Sequence, residues 1–347
     1  MKTKRHPKSN QTNDNNMFNT PLVLPRPWTQ KRPDDGKPIE APSESEFVTE
    51  FGNKLPNAEF LQTEIGKAAY YSIHPISSAP PELKTPISRI LFVHGVQTPA
   101  IGMHPLATTL SSRFPYAHCV LVDLWGHGLS ETPLIAHDAT IFHRLVIDLM
   151  NELRWEDAHL IGYSFGGSTV ASYAHLNPET VSSMTLVAPA GLLRTSQLNE
   201  LEKNYMQGGD AVEDQARKWI IKYLEGGQLV VPSDWRARVE RGEVVAEAVR
   251  DWEMKNHKGH AASVVGIFRD GGVFDKHSEF AQSASKGIPN LSVLGELDEL
   301  CSAQDLQELG MENVAVVPQV GHGVVRQSVP EVAGHIEKFW KSLEGIA

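Results

Sequence analysis

Short unbroken apolar runs alternate with longer segments of helical period along most of the chain after Ala58. The stretch AEFLQTEIGKAAYYSIHP reads as two short strands turned at Gly66-Lys67. RILFVHG, CVLVDLWGHG, AHLIGYS and VSSMTLVAPAG are continuous apolar runs, as expected of strands buried on both faces. Between them MHPLATTLSSRF, IFHRLVIDLMNEL and FGGSTVASYAHL carry helical patterning. The repetition predicts an α/β fold, a mostly parallel sheet with helices on both faces. After Pro189 the alternation stops, and no comparable strand returns until PNLSVLGELD. That gap is about a hundred residues, where a strand-to-helix connection takes roughly 2–6. It reads as a helical insertion, with amphipathic segments at 196–206, 214–224 and 243–257. FDKHSEFAQSAS is expected to rejoin the sheet as a covering helix. The strand LSVLGE, the helix SAQDLQEL, the strand NVAVVP and the helix PEVAGHIEKFWKSL complete an eight-stranded pattern.

The expected organisation is a tail over 1–45, a first core segment over 46–192, a helical cap over 193–260 and a second core segment over 261–347. The tail is rich in Asn, Pro, Ser and charge, which predicts a flexible or loosely docked segment. The competing expectation is a strap in which Leu22, Leu24 and Trp28 dock on the body.

Composition narrows the function classes. The chain has 347 residues, 41% hydrophobic and 21% charged, enough for one large domain or two small ones. A net charge of -10, with no long Lys/Arg block beyond the first few residues, argues against nucleic-acid binding. Cys119 and Cys301 are the only cysteines and cannot build a disulfide framework, so a reducing compartment is expected. The basic start has no apolar segment behind it, and no run of about 18 apolar residues occurs. No membrane span is expected, and the cytoplasm is the default location. His257 and His260, in NHKGH, lack supporting Cys or carboxylate spacing and read as cap return or pocket rim rather than metal ligands.

One serine stands out. Ser164 lies in LIGYSFGGSTVASYAH, with Gly162 and Gly166 two positions to either side and Gly167 beyond. An apolar strand ends there and a small-residue helix starts, the setting of a nucleophile elbow. Glycine is needed where flanking side chains would collide with backbone, and the helix N-terminus supplies unpaired N–H groups.

With this motif the chain resembles the α/β-hydrolase superfamily, over roughly residues 58–343. FVHG (92–95), DLWGHGLS (123–130), GYSFGG (162–167), GELD (295–298) and VGHG (320–323) fall in family order, each at a strand end. The resemblance implies a helical cap inserted after the sixth strand and a Ser–Asp–His order along the chain, supplied by Ser164, Asp298 and His322. The chemistry is consistent: a serine hydroxyl needs an adjacent imidazole base, and a carboxylate must fix that ring's tautomer. Glu296 and Glu299 stand beside Asp298 as rival acids. Asp123 ends a strand but precedes the serine, and its surroundings look like a structural turn. By the same analogy the backbone N–H groups of Val96 and Phe165 form an oxyanion hole, with His94 and Gly95 as structural neighbours. HGVQTP lacks the Gly-Gly-Gly stretch of some esterases, which disfavours hindered tertiary-alcohol esters.

A serine nucleophile excludes the aspartate-dependent dehalogenase and epoxide hydrolase branches. Carbon–carbon bond hydrolases of the superfamily usually show Asn before the serine and a Gly-Pro-Gly loop. Tyr163 and Gln97-Thr98-Pro99 depart from both. Proline iminopeptidases typically place Trp where this chain has Phe165. The expectation is a capped serine esterase or lactonase, cleaving a small acyl compound of apolar character through an acyl-enzyme on Ser164, with no cofactor. Carbon–carbon cleavage and a ligand sensor with negligible turnover are the alternatives, and Trp219, Trp235 and Trp252 are expected in the pocket roof. The oligomeric state is not legible in the sequence.

Overall fold

A computed structural model of the chain describes residues 22–29, 36–209 and 211–345. Eight strands form one sheet: β1 (Glu59–Gln62), β2 (Lys67–Ile73), β3 (Arg89–Val93), β4 (His118–Val122), β5 (Ala158–Tyr163), β6 (Val181–Val187), β7 (Asn290–Gly295) and β8 (Val314–Val317). Their spatial order is β1-β2-β4-β3-β5-β6-β7-β8. β2 is antiparallel to both β1 and β4, and the other neighbours run parallel.

The helices are α1 (Glu44–Phe51), α2 (His104–Arg113), α3 (Ala139–Glu152), α4 (Phe165–Leu176), α5 (Glu200–Gln207), α6 (Glu213–Leu224), α7 (Trp235–Glu240), α8 (Ala246–Asn256), α9 (His260–Gly266), α10 (His277–Ala284), α11 (Ala303–Glu308), α12 (Val324–Gln327) and α13 (Val329–Glu344). Strand residues alternate between two cores. Leu91 and Val93 face Phe142, Leu149, Tyr173 and Phe280 of α3, α4 and α10. Ile90 and Phe92 face Leu106 and Leu110 of α2 and Ile336 and Trp340 of α13. This period-two split explains why the central strands are apolar throughout.

Helices α5 to α10 lie between β6 and β7. α1 straddles the expected boundary between tail and first core segment at 45/46, with most of its residues on the core side. Ser43 and Glu46 cap it reciprocally, and Phe47 and Phe51 are buried. Those rings pack against Trp252 at 5.4 and 6.0 Å, and Trp235 lies 6.0 Å from Phe51. Within 22–29, Leu24 is buried while Leu22 and Trp28 are exposed. Arg26 anchors the segment, donating from Nη1 to the carbonyls of Met206 and Gln207 at 2.9 and 2.8 Å and pairing with Asp270 at 2.6 Å. Residues 1–21 and 30–35 lie outside the described residues.

The strands pair in one continuous row. Val93 pairs with Gly162, Gly162 with Leu186, Leu186 with Ser292, and Ser292 with Val314. Because β3 to β8 run parallel, their following loops leave on one side of the sheet, where open parallel sheets place their ligands.

Candidate active site

Ser164 is the single residue between β5 and α4, and it makes the turn alone with φ 53° and ψ -118°. Its N–H donates to Val187 O at 3.1 Å, and its carbonyl accepts from Gly167 and Ala190, both at 2.9 Å. The flanking glycines are steric necessities. A Cβ on Gly162 would lie 2.2 Å from Gly166 O, and one on Gly166 would lie 2.0 Å from Val93 O. Gly95 passes so close that a Cβ there would sit 2.8 Å from the serine's own Cβ.

The loop after β7 carries Asp298 and the loop after β8 carries His322. His322 Nε2 lies 2.9 Å from Ser164 Oγ, and its Nδ1 lies 3.0 Å from Asp298 Oδ2. A carboxylate only accepts, so Nδ1–H points to Asp298 and the Nε2 lone pair faces the serine hydroxyl. The Asp298 side chain is fully buried and its other oxygen accepts the Leu300 N–H at 3.0 Å. Glu296 and Glu299 are exposed, and Glu296 accepts the Gln319 N–H at 2.8 Å instead. Of the three neighbouring acids, Asp298 is the one that reaches the imidazole.

Val96 and Phe165 border Ser164 in the same pocket. Phe165 opens α4, where an amide has no intrahelical acceptor. Neither Val96 N–H nor Phe165 N–H has a hydrogen-bond partner among the described residues. The Val96 loop is fixed from below. His94 is buried, its Nε2 accepts the Leu124 N–H at 2.9 Å, and its Nδ1–H therefore donates to Gly95 O at 2.6 Å. Burial pushes this imidazole down to about 4, so it stays neutral. His127 Nε2 accepts the N–H of Gln97, whose φ is 71°. Asp123 accepts from Tyr71 Oη–H and the N–H groups of Ala100 and Leu129, which makes it the anchor of its turn.

The pocket over Ser164 is small, with room of about 100 Å³. Tyr223, Leu224, Arg250 and Phe268 reach it from the insertion and its continuation. The tryptophans do not, which corrects the expected roof. Trp219 lies a layer back, against Tyr223 and Phe268 at 5.5 and 5.8 Å, while Trp235 and Trp252 pack on α1. His257 and His260 are buried away from the rim and lie 2.9 Å from the carbonyls of Ser130 and Gly126. No group of three His, Cys, Asp or Glu suited to a metal occurs among the described residues.

Sequence reasoning missed several residues of the site. Tyr163 donates from Oη to His322 O at 3.1 Å, and its ring lies 5.4 Å from the imidazole. Arg326 lies over the Tyr163 ring at 5.3 Å. Gln97 Nε2 donates to Glu225 at 2.9 Å, and Glu225 pairs with Arg250 at 3.3 Å. Arg250, Arg326 and Glu225 had only helical spacing as a signal, which reads equally well as a solvated face, while Tyr163 in β5 and Gln97 in a loop had none.

The sheet and its connections match a known fold in the comparisons. The family model described as alpha/beta hydrolase fold matches residues 89–228. A 2-(acetamidomethylene)succinate hydrolase from Mesorhizobium japonicum is 30% identical over 254 residues, covering 70% of this chain and 84% of that protein. Monoacylglycerol lipase abhd6-A from Xenopus laevis is 31% identical over 65% of this chain and 68% of its own length. The crystal structure of the enol-lactonase from Burkholderia xenovorans superposes with a TM-score of 0.57 at 16% identity, covering 81% of this chain and 99% of that one. The chain belongs to the alpha/beta hydrolase fold family.

Proposed function

We propose that the protein is a serine hydrolase that cleaves a carboxylic ester, lactone or related acyl bond. The observation that carries this reading is the hydrogen-bonded chain from Ser164 Oγ through His322 to Asp298, opening on a pocket with two unpaired amides. His322 Nε2 takes the hydroxyl proton as Oγ attacks the acyl carbon. The N–H groups of Val96 and Phe165 receive the developing oxyanion, in a site where each donor is worth about 3 kcal/mol. Asp298 stabilises the imidazolium, which then protonates the leaving alkoxide. Water repeats the sequence on the acyl-enzyme, with His322 again as base, and releases the acid. No step calls on a cofactor.

A panel of nitrophenyl esters and lactones of graded chain length tests this. Multiple turnovers on at least one of them, lost in Ser164→Ala, are expected. A ligand sensor would stop after a few turnovers, and undiminished hydrolysis by Ser164→Ala would rule out the serine mechanism.

A further inference from the structure

The net charge is -10, with 42 Asp and Glu against 32 Lys and Arg. Yet among the described residues no aspartate or glutamate lines the pocket over Ser164, and two arginines do, Arg250 from α8 and Arg326 from α12. Asp298 sits behind His322 with its side chain fully buried.

The two arginines differ in their partners. Arg250 Nη2 faces Glu225 at 3.3 Å and Glu247 at 3.7 Å, so its charge is balanced from behind the wall. Its Nε is shielded from solvent and bonded to nothing among the described residues. Arg326 has no carboxylate partner among the described residues. Its guanidinium rests on the Tyr163 ring and beside Gly102, where Nη1 is buried without a hydrogen-bond acceptor. An aromatic face attracts a cation but does not neutralise it. A partly buried, unpaired guanidinium is costly, and a neutral ester would leave that cost uncompensated. A planar carboxylate matches its fork of donors.

We infer that the pocket takes acyl compounds that carry a second, free carboxylate, bound by Arg326 with Arg250 as the second contact. The inference rests on the serine-hydrolase reading and narrows its substrate class. Arg326 sits four residues after His322, so the anion would be held on the same loop-and-helix unit as the base. Gln97 ties Arg250's partner Glu225 to the loop that carries Val96. The second contact is thus mechanically joined to the oxyanion loop.

The probes are the nitrophenyl half-ester of adipate and nitrophenyl hexanoate, nearly equal in length, with a carboxylate in place of a methyl. Wild type is expected to prefer the half-ester by about tenfold or more in kcat/KM. Arg326→Gln should lower the ratio of half-ester to hexanoate about 10- to 100-fold, the worth of a charge-assisted hydrogen bond, and Arg326→Lys should restore part of it. A purely structural arginine would lower both rates and leave the ratio alone, which would overturn the inference. So would a wild-type preference for hexanoate. Titration calorimetry of adipate with Ser164→Ala protein gives an arm independent of turnover, with binding expected and lost when Arg326→Gln is added. No adipate binding would also overturn the inference, while Ser164-dependent cleavage of hexanoate would leave the serine mechanism standing. Adipate binding through Arg326 without cleavage of any ester would keep the anion site and remove the hydrolytic reading.

Discussion

Three acids within four positions, Glu296, Asp298 and Glu299, carry the same charge, and only one turns inward to His322. The sequence could narrow the choice only through family spacing, because composition and period do not distinguish them. The fold does, through the Gly295 turn that buries Asp298 and leaves Glu296 capping Gln319. Asp298→Asn is therefore expected to lower turnover about 10³- to 10⁴-fold, since an amide can hold the imidazole in the wrong tautomer. Glu296→Gln should stay within about tenfold, as an exposed charge outside hydrogen-bond reach is screened. Steady-state rates near pH 8 on one ester check both, and a crippled Glu296→Gln beside a mild Asp298→Asn would reverse the assignment. Ser164 was easier to find because backbone geometry constrains its neighbours. A glycine two residues from the serine marks a place where 2.0 Å separates a would-be Cβ from Val93 O. Arg250, Arg326 and Glu225 carry no such mark, since charges on amphipathic helices usually face water.

Strands were the most legible elements, because burial on both faces leaves an unbroken apolar run. α1 was hidden in polar, Pro-rich surroundings, although Ser43 and Glu46 spell a capping box. The tryptophans misled for a different reason: large apolar rings on an insertion must be buried somewhere, and period alone does not say against what. Trp235 and Trp252 close on Phe47 and Phe51, residues distant in sequence. The segment around Arg26 shows the same long-range logic. It clasps the last carbonyls of α5 and neutralises Asp270, whose carboxyl burial pushes up and Arg26 pulls back down. Arg26→Ala removes the cation hydrogen-bonded to that acid and should cost about 3 kcal/mol, the low end of the range for breaking a buried pair. Chemical denaturation measures the loss, and hydrogen exchange should quicken in 200–207. Unchanged stability and exchange would mean that the segment merely rests on the surface.

Over the whole molecule, buried neutral histidines set the response to acid. Burial lowers His94, His137, His143 and His159 to about 4 and His260 to about 3. Such groups stabilise the fold above the ordinary histidine pKa of about 6.5, and that stability drains away as pH falls toward their folded values. Asp123 works in the opposite sense. Burial raises it to about 6, so its contribution is present below about 4 and lost as pH rises through 6. The histidines outnumber it, and unfolding at pH 5 should take up about four protons. Denaturant midpoints should accordingly fall from pH 7 to pH 5, by at least about 3 kcal/mol of stability, where a flat or rising profile would contradict the burial described. Among the described residues no helix is long and apolar enough to cross a membrane, and the architecture read from the pattern, eight strands with a helical insertion after the sixth, is the one found. What the pattern could not supply was the pocket's chemistry, which depends on side chains brought together from β5, α6, α8 and α12. The central claim, that Ser164 is the nucleophile, is tested most directly by fluorophosphonate labelling followed by peptide mass mapping. One adduct is expected, on Ser164, abolished by Ser164→Ala and slowed by His322→Ala. An adduct on any other residue, with Ser164→Ala still turning over esters, would contradict the account.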